Sequence, residues 1–378
     1  MSFSQGRLDA LKERVAQLDA QAMYVRDVAD IEWLTGFEDV FDEERAHAAF
    51  VPAQDEGAAL HTDSRYVTAM LREAEGTPVA VDAEAITMAK WARTRWDELG
   101  AAGTDANAKL AIEDSISLYE YRELQKAFDD KTSDVLSSFA ETHDVVLQLR
   151  AVKDADEIKR MEDAQAITDA AFSFIADFIK PGVTEREVQL ALDNYMMTHG
   201  ASGLAFPSII ASGANGASPH AIVSDKKLQA GECIVMDFGA KRAGYCSDMT
   251  RTVFLGQPEG EMLAAWETMH RANEEVQAML RPGVTGKEAH ELAERILEEG
   301  GFGGRMGHGL GHGVGLRVHE LPVLSPRNDK PLAAGNVVTV EPGIYIPGSF
   351  GMRLEDYGVI TDTGFRRFTQ STHDLVVL

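Results

Sequence analysis

Residues 233–251 read CIVMDFGAKRAGYCSDMTR. Apolar residues on both sides of a glycine-containing centre are typical of two strands of one hairpin, with the turn near residues 241–244. Asp237 and Asp248 stand symmetrically about that turn. We therefore expect their side chains to face each other across the strand pair, about 5 Å apart. The apolar run around Asp237 indicates that its strand is buried.

A second stretch has the same layout. Residues 337–346 and 352–361 lie on either side of a Pro347-Gly348 turn, with Glu341 and Glu355 symmetric about it. Like charges that face each other on buried strands repel, so each pair predicts a bound cation. If the two hairpins face each other, four carboxylates converge on one place.

A short repeat precedes each hairpin. Residues 181–184 and 282–285 both read PGVT, and a glutamate follows each threonine three residues later, at Glu187 and Glu288. Pro-Gly ends one helix, and the threonine and glutamate form a capping box for the next. The helix before the first copy is predicted to begin at Asp154, with apolar residues at helical spacing: Ile158, Met161, Ile167, Ala171, Phe174 and Phe178. The repeat predicts an internal duplication.

A third segment with candidate ligands is rich in glycine. Residues 307–315 read GHGLGHGVG, and His308, His312 and His319 lie within or just after this stretch. Glycines permit a close approach of the backbone to a ligand or a neighbouring strand. One neutral imidazole added to four carboxylates makes an oxygen-rich site, which suits Mn²⁺, or Co²⁺ or Zn²⁺ by substitution, better than a structural zinc site.

The first part of the chain has a different pattern. Short apolar runs at 22–25, 48–51, 58–60 and 108–113 alternate with helical patterns at 1–20, 64–73, 86–99 and 118–128. This alternation predicts an α/β domain over residues 1–145, followed by a second domain over residues 146–378.

Composition excludes several classes of partner. The formal net charge of −25 argues against nucleic acid or an anionic membrane, because both require basic surfaces. No apolar run approaches a membrane span, and the N-terminus lacks the basic start and apolar core of a secretory signal. We therefore expect a cytoplasmic protein in which Cys233 and Cys246 are reduced thiols.

These motifs resemble those of the M24 "pita-bread" metallopeptidase family, in particular its Xaa-Pro dipeptidases (prolidases) and aminopeptidases P. The resemblance covers almost the full chain and is strongest from about residue 200 onward. Five motifs carry it: 236–239 (MDFG), 247–251 (SDMTR), 308–312 (HGLGH), 340–343 (VEPG) and 353–356 (RLED). It implies an α/β (α+β) fold, with a creatinase-type N-terminal domain and a catalytic domain of pseudo-twofold symmetry. It also implies a homodimer.

The resemblance further implies two divalent metal ions and a role for each ligand. Asp248 and Glu355 bridge the metals, Asp237 chelates one of them, and His312 and Glu341 complete the other. A hydroxide between the metals attacks the carbonyl carbon of the residue before proline. Glu341 accepts its proton and returns one to the proline nitrogen, and His319 stabilises the tetrahedral intermediate.

The resemblance places five side chains around a small peptide substrate with proline at its second position: His220, His308, His319, Arg353 and Tyr345. His308 lies at the proline side. For Arg353 we also expect contacts that orient carboxylates, and for Tyr345 a packing role is an equal alternative.

Several alternatives remain open from the sequence. The catalytic residues are shared between the dipeptidases and aminopeptidase P, which releases the residue before proline from longer peptides. The compact N-terminal domain favours a dipeptidase, with Arg45 or Arg317 as partner of the substrate carboxylate. A hydrolase of a small non-peptide amide, such as ectoine, and a binding protein without activity are the other classes.

Overall fold

A computed structural model describes residues 5–38, 40–42, 44–54, 57–100, 108–129 and 138–378. Its contacts divide the chain into two compact units, Met1–Arg150 and Ala151–Leu378. Within the described ranges, no helix combines the length and apolarity that crossing a membrane requires. Cys233 and Cys246 are buried free thiols, as predicted.

Unit 1 is an α/β domain around a mixed sheet. In its described part the strands are β1 (Ala22–Val25), β2 (Ala48–Pro52), β3 (Ala58–His61), β4 (Val79–Asp82), β5 (Lys109–Ile112) and β6 (Ser138–Glu141). Their order in the sheet is β4-β3-β2-β1-β5-β6, with β2 antiparallel to both of its neighbours and the other pairs parallel. The predicted alternation of strands and helices is confirmed.

Among the residues of unit 1 that the structure describes, the helices are α1 (Gln5–Gln17), α2 (Val28–Thr35), α3 (Val67–Ala74), α4 (Met88–Glu98), α5 (Leu118–Phe128) and α6 (Val145–Arg150). Helix α1 buries Leu8, Leu11 and Val15, because these residues recur at helical spacing on one face. On α4, Trp91 and Trp96 are fully buried in the core that the sheet shares with α5.

Unit 2 contains two pairs of long helices. They are α7 (Ala155–Phe178) with α8 (Glu185–Thr198), and α9 (Gly260–Met279) with α10 (Gly286–Glu299). Both predicted capping boxes form, at Thr184 with Glu187 and at Thr285 with Glu288. On α7 the core face passes through Phe172 and Ile175, so Phe174 and Phe178, which the pattern assigned to the apolar face, are exposed instead. Phe174 stacks on Tyr195 of α8.

Each helix pair packs on its own sheet. The first sheet has the order β20-β12-β9-β8 and contains β8 (Ile209–Ser212), β9 (Cys233–Phe238), β12 (Met249–Phe254) and β20 (Val376–Val377). The second has the order β14-β13-β15-β18-β19 and contains β13 (Gly311–Gly313), β14 (Glu320–Leu324), β15 (Val337–Val340), β18 (Asp356–Ile360) and β19 (Phe365–Arg367). Smaller ladders comprise β7 (Gly203–Leu204), β10 (Ala240–Arg242), β11 (Tyr245–Cys246), β16 (Gly343–Ile346) and β17 (Phe350–Arg353).

The backbone repeats the duplication that the PGVT motifs predict. Thr184 bridges Lys227, and Thr285 bridges Pro331, in the same antiparallel manner. The amide of Gly182 donates to Leu228 O, and that of Gly283 donates to Leu332 O, both at 2.9 Å. The sheet order β8-β9-β12 of the first half then matches β13-β15-β18 of the second. The pseudo-twofold duplication is therefore confirmed, and it brings corresponding strands of both halves to one cavity.

Candidate metal centre

The first carboxylate pair differs from its predicted geometry. Strand β9 pairs with β12 so that Asp237 faces Thr250, and Asp248 lies just before β12. The expectation that Asp237 and Asp248 face each other directly was wrong by two residues. The cause is a tight two-residue turn at Ala243-Gly244, where both residues have positive φ. Because side chains alternate with a period of two, this shift leaves both carboxylates on the same face.

The second carboxylate pair has the predicted register. Val340 pairs with Asp356 on β15 and β18, and Gly343 pairs with Arg353 on β16 and β17. Glu341 and Glu355 stand opposite each other in the gap between these ladders. Pro342 interrupts the pairing at this point, because proline has no amide hydrogen to donate.

His312 faces these carboxylates from β13. Its Nδ1 contacts Gly313 O at 3.0 Å, which makes Nδ1 the protonated nitrogen. Its Nε2 therefore presents a lone pair toward Asp248 Oδ2 at 3.7 Å and Glu341 Oε1 at 3.5 Å. One ligand atom each of Asp248, His312 and Glu355 lie within 4.8 Å of one another. Such a convergence of acceptors indicates a cation.

The glycines beside His312 let β13 enter this crowded position. A Cβ atom on Gly311 would lie 2.1 Å from Thr339 O, and one on Gly313 would lie 2.2 Å from Leu321 O. Any larger residue at either position would push β13, and His312 with it, away from the carboxylates.

Electrostatics point to the same conclusion. Burial raises the pKa of Asp248 and of Glu355 well above the ordinary range, and the neighbouring carboxylates raise it further. Burial also raises the pKa of Glu341 to about 8 and lowers that of His312 to about 4. Among the described residues, the buried Oδ1 of Asp237 finds no hydrogen-bond donor. A set of oxygen ligands with one neutral imidazole fits divalent cations.

These shifts predict that protons compete with the metal. Below pH 8 a proton on Glu341 must leave before a cation binds, so the apparent Mn²⁺ affinity should rise at least about tenfold per pH unit between pH 6 and 8. The stability of the metal-free protein should change in the opposite sense. A carboxyl with a raised folded-state pKa stabilises the fold at low pH, and this contribution is lost as the pH rises through about 8.

Calorimetric titration with Mn²⁺ across this pH range, with thermal unfolding of the metal-free protein, measures both effects. Glu341→Gln is the matched variant and should show a shallower dependence of affinity on pH. An affinity that is constant from pH 6 to 8 would contradict the assignment.

Arg353 orients the carboxylates from behind. Its Nη2 donates to Asp237 Oδ2 at 2.5 Å, its Nε donates to Thr250 Oγ1 at 2.9 Å, and its Nη1 donates to Tyr345 Oη at 2.8 Å. These contacts match the expected role of Arg353 in orienting carboxylates. Arg353 also borders the cavity, and its expected contact with substrate stays a prediction.

The site opens into a cavity of about 470 Å³. His220, His308 and His319 lie in its wall, together with the apolar side chains of Phe206, Pro207, Ile209 and Val318. His319 stacks edge-on against His312, with ring centroids 4.4 Å apart. Burial lowers the pKa of His308 to about 4, so its ring is neutral at physiological pH.

Tyr345 packs behind the wall of the cavity. It is 6% exposed, and its hydroxyl lies 3.2 Å from His308 Nε2 while it accepts from Arg353. This position favours the packing alternative over direct contact with substrate. The role of Arg45 or Arg317 as partner of the substrate carboxylate stays a prediction. Arg45 pairs with Glu120 in unit 1 at 2.9 Å, and Arg317 is exposed.

Sequence reasoning missed two threonines. Thr250 donates to Glu355 Oε2 at 2.6 Å, and Thr339 accepts from the amide of His312 at 3.0 Å and donates to Glu341 at 3.3 Å. Both are fully buried within strands. The sequence did carry a signal for them. Each threonine lies on a strand with an otherwise apolar pattern, two residues from a candidate ligand and therefore on the same face of the strand.

Comparisons with known proteins match two family profiles to this chain. The profile of metallopeptidase family M24 matches residues 159–362, and that of the creatinase/prolidase N-terminal domain matches residues 7–152. An Xaa-Pro dipeptidase of Pyrococcus horikoshii is 38% identical over 267 residues, which cover 71% of this chain and 74% of that protein.

Solved structures are similar over nearly the whole chain. An Xaa-Pro dipeptidase from Bacillus anthracis matches with a TM-score of 0.89 and 32% identity, covering 99% of each chain. An X-Pro aminopeptidase from Thermotoga maritima matches with a TM-score of 0.83 and 32% identity, covering 97% of this chain and 99% of that one.

Proposed function

The chain belongs to metallopeptidase family M24, and we propose that it is a metal-dependent dipeptidase that hydrolyses the bond between any residue and a following proline. One observation carries the proposal: the lone pair of His312 Nε2 and two carboxylate oxygens converge at the base of a cavity in the size range of small-molecule sites. Relatives of similar sequence and fold are Xaa-Pro dipeptidases.

Asp237, Asp248, His312, Glu341 and Glu355 would hold two divalent metal ions. The predominance of oxygen among these ligands favours Mn²⁺, with Co²⁺ and Zn²⁺ as substitutes. When bound, such ions polarise the scissile carbonyl and make water acidic enough to serve as the nucleophile near neutral pH.

Glu341 is the proton carrier of the proposed reaction. Its pKa of about 8 in the metal-free protein shows a carboxyl whose environment favours the protonated form, which suits transfer of a proton to a leaving nitrogen. Thr339 donates a hydrogen bond to its carboxylate at 3.3 Å and helps to hold it in place. With metals bound, Glu341 would be ionised, and it could first accept a proton and then return it to the proline nitrogen.

The histidines of the wall would position the substrate. His319 lies beside His312 and, as a neutral donor, would stabilise the negative charge that develops on the carbonyl oxygen. The buried, neutral His308 would contact the proline side, supported by Tyr345. His220, which also lines the cavity, would bind the substrate.

The proposal has three further parts. Family resemblance supports a homodimer and a cytoplasmic location, and we place the domain boundary near residue 145, close to the division between the two units after Arg150. A second activity, release of the first residue from longer peptides as in aminopeptidase P, is favoured by the similarity to the Thermotoga maritima aminopeptidase.

Hydrolysis of Ala-Pro and Ala-Pro-Ala tests the proposal. We expect the chelator-treated enzyme to be inactive and to regain cleavage of Ala-Pro, but not of the tripeptide, when Mn²⁺ is added. Release of alanine from Ala-Pro-Ala would instead assign aminopeptidase P. If Mn²⁺ binds but neither peptide is cleaved, the proline-specific activity is refuted, and small amides such as ectoine become the substrates to test.

A further inference from the structure

A fully buried glutamate lies outside the set of metal ligands. Glu185 is the first residue of α8, follows the capping residue Thr184, and is 0% exposed. A buried carboxylate is costly unless hydrogen bonds satisfy its oxygens. The partners of Glu185 therefore indicate what its burial achieves.

All of these partners belong to one loop, residues 212–224. Oε1 of Glu185 accepts from the amide of Ser212 and from its hydroxyl, both at 2.8 Å. Oε2 accepts from Asn215 Nδ2 at 2.9 Å, and from the amide and hydroxyl of Ser224 at 3.1 and 2.7 Å. One carboxylate thus binds the beginning, an inner residue and the end of the loop.

The loop carries part of the cavity wall. Pro219 and His220 line the cavity, and the carbonyl of Pro219 accepts from Arg353 Nη1 at 3.3 Å. On the same side, Gly216 approaches β17 so closely that a Cβ on Gly351 would lie 1.9 Å from Gly216 O. The loop is therefore held between Glu185 on one side and the residues that orient the metal ligands on the other.

The second half of the duplication shows that the fold does not require this glutamate. The residue after Thr285, which corresponds to Thr184, is Gly286. There, Asn328 Nδ2 donates to Val323 O at 2.8 Å, and a Cβ on Gly286 would lie 2.2 Å from that oxygen. The loop that brings His319 to the cavity has a different anchor, the buried pair of Lys153 and Glu320 at 3.2 Å. A glycine at this position is thus compatible with the start of the helix in the second half. The glutamate at the same position in the first half instead binds loop 212–224.

We propose that Glu185 is a positioning residue for the substrate site, which holds loop 212–224 so that Pro219 and His220 keep their places in the cavity wall. It acts through His220 and touches neither metal nor substrate. The inference rests on the proposed function, because the contribution of His220 is measured on an Xaa-Pro substrate.

Glu185→Gln tests the proposal, since it removes the charge and one acceptor with little change in volume. We expect kcat/KM for Ala-Pro, with saturating Mn²⁺, to fall about tenfold, mostly through KM, as for outer-shell partners of active sites. Glu187→Gln is the matched control, because it makes the same change on the same helix at an exposed capping residue. Its kcat/KM should stay close to that of the wild type.

A double-mutant cycle with His220→Ala separates positioning from general damage. If Glu185 acts through His220, Glu185→Gln should have little further effect in the His220→Ala background. The proposal would be overturned if the losses of the two single variants multiplied in the double variant, or if kcat/KM were unchanged in Glu185→Gln alone. A loss of Mn²⁺ affinity in Glu185→Gln would overturn it as well, because that would show damage to the whole site.

Hydrogen exchange gives a readout that does not depend on activity. The amides of Ser212 and Ser224 should exchange faster in Glu185→Gln than in Glu187→Gln, and equal rates would contradict the anchoring role. If the wild-type enzyme cleaves no Xaa-Pro peptide, the proposed function fails while the exchange result still stands. If Glu185→Gln does not fold, Ser224→Ala removes one of the five hydrogen bonds and goes through the same cycle.

Discussion

Asp248→Asn should lower kcat/KM for Ala-Pro by more than about a thousandfold, as loss of a central catalytic group does in other hydrolases. Asp248 is 3% exposed, and one of its carboxylate oxygens lies within 4.8 Å of ligand atoms of both His312 and Glu355. An amide cannot carry the negative charge that this carboxylate would offer a bound cation. The variant should therefore bind fewer Mn²⁺ ions per chain, as measured by calorimetry and elemental analysis.

The same substitution should stabilise the metal-free protein. In the wild type, burial and the neighbouring carboxylates raise the pKa of Asp248 well above its ordinary range, so its charged form is unfavourable. Asparagine resembles the protonated acid and removes this repulsion. At pH 8 we expect a higher Tm than the wild type without metal, and a smaller increase in Tm when Mn²⁺ is added.

An exposed acid of the same unit provides the control. Asp362 lies just beyond β18, and Asp362→Asn should change neither activity nor metal binding. The assignment of Asp248 would be contradicted if Asp248→Asn kept full Mn²⁺ stoichiometry and activity, or if its metal-free form were less stable than the wild type.

Arg251→Met should destabilise the protein by about 3–5 kcal/mol, the usual result when one partner of a buried ion pair is removed. Arg251 is 1% exposed and donates to Asp356 Oδ1 at 2.8 Å and to the backbone carbonyl of Glu355 at 2.6 Å. It also donates to Ser371 O and Thr372 O, so it ties β12 and β18 to the C-terminal segment. Without it, Asp356 keeps a buried charge with weaker compensation.

The dependence on pH identifies the mechanism. Burial alone would raise the pKa of Asp356, but Arg251 and His373 together hold this pKa far below its usual range. The stabilisation is present above the unfolded-state pKa of about 3.9 and is lost as the pH falls toward the folded-state value. The difference between wild type and Arg251→Met in urea unfolding should therefore be larger at pH 7 than at pH 3.

Arg366→Met is the matched surface variant, because Arg366 pairs with Glu162 and is about half exposed. Exposed pairs contribute about 0–1 kcal/mol, so this change should be small. Asp356→Asn should recover part of the loss in Arg251→Met by removing the uncompensated charge. Equal losses in the two arginine variants would mean that burial of Arg251 has no special role.

The two hairpins show which parts of the site a sequence can predict. The register of the second follows from symmetry about Pro347-Gly348, and Glu341 does stand opposite Glu355. The predicted register of the first hairpin was wrong by two residues, because Ala243 adopts positive φ and the turn therefore lies closer to the second strand. Few residues other than glycine and asparagine favour that conformation, so the sequence carried a misleading signal.

The contacts of Arg353, Tyr345 and Glu185 show what the sequence could not predict. A motif predicts that an arginine stands near the ligands, but it does not predict which oxygens take up its donors. Those oxygens come from residues far apart in the chain, among them Asp237 and Thr250 for Arg353. Likewise, PGVT predicts the capping box but not that the next residue binds a loop 27 to 39 residues away.

The sequence by itself determined the types and order of the candidate ligand side chains, the helix caps and the duplication, because these depend on local patterns that repeat along the chain. Only the tertiary structure decided how the acceptors converge around His312 Nε2, which residues hydrogen-bond the candidate ligands, and how the histidine loops are anchored. Those properties depend on distances between side chains from different strands and loops, and such distances are set when the two halves pack together.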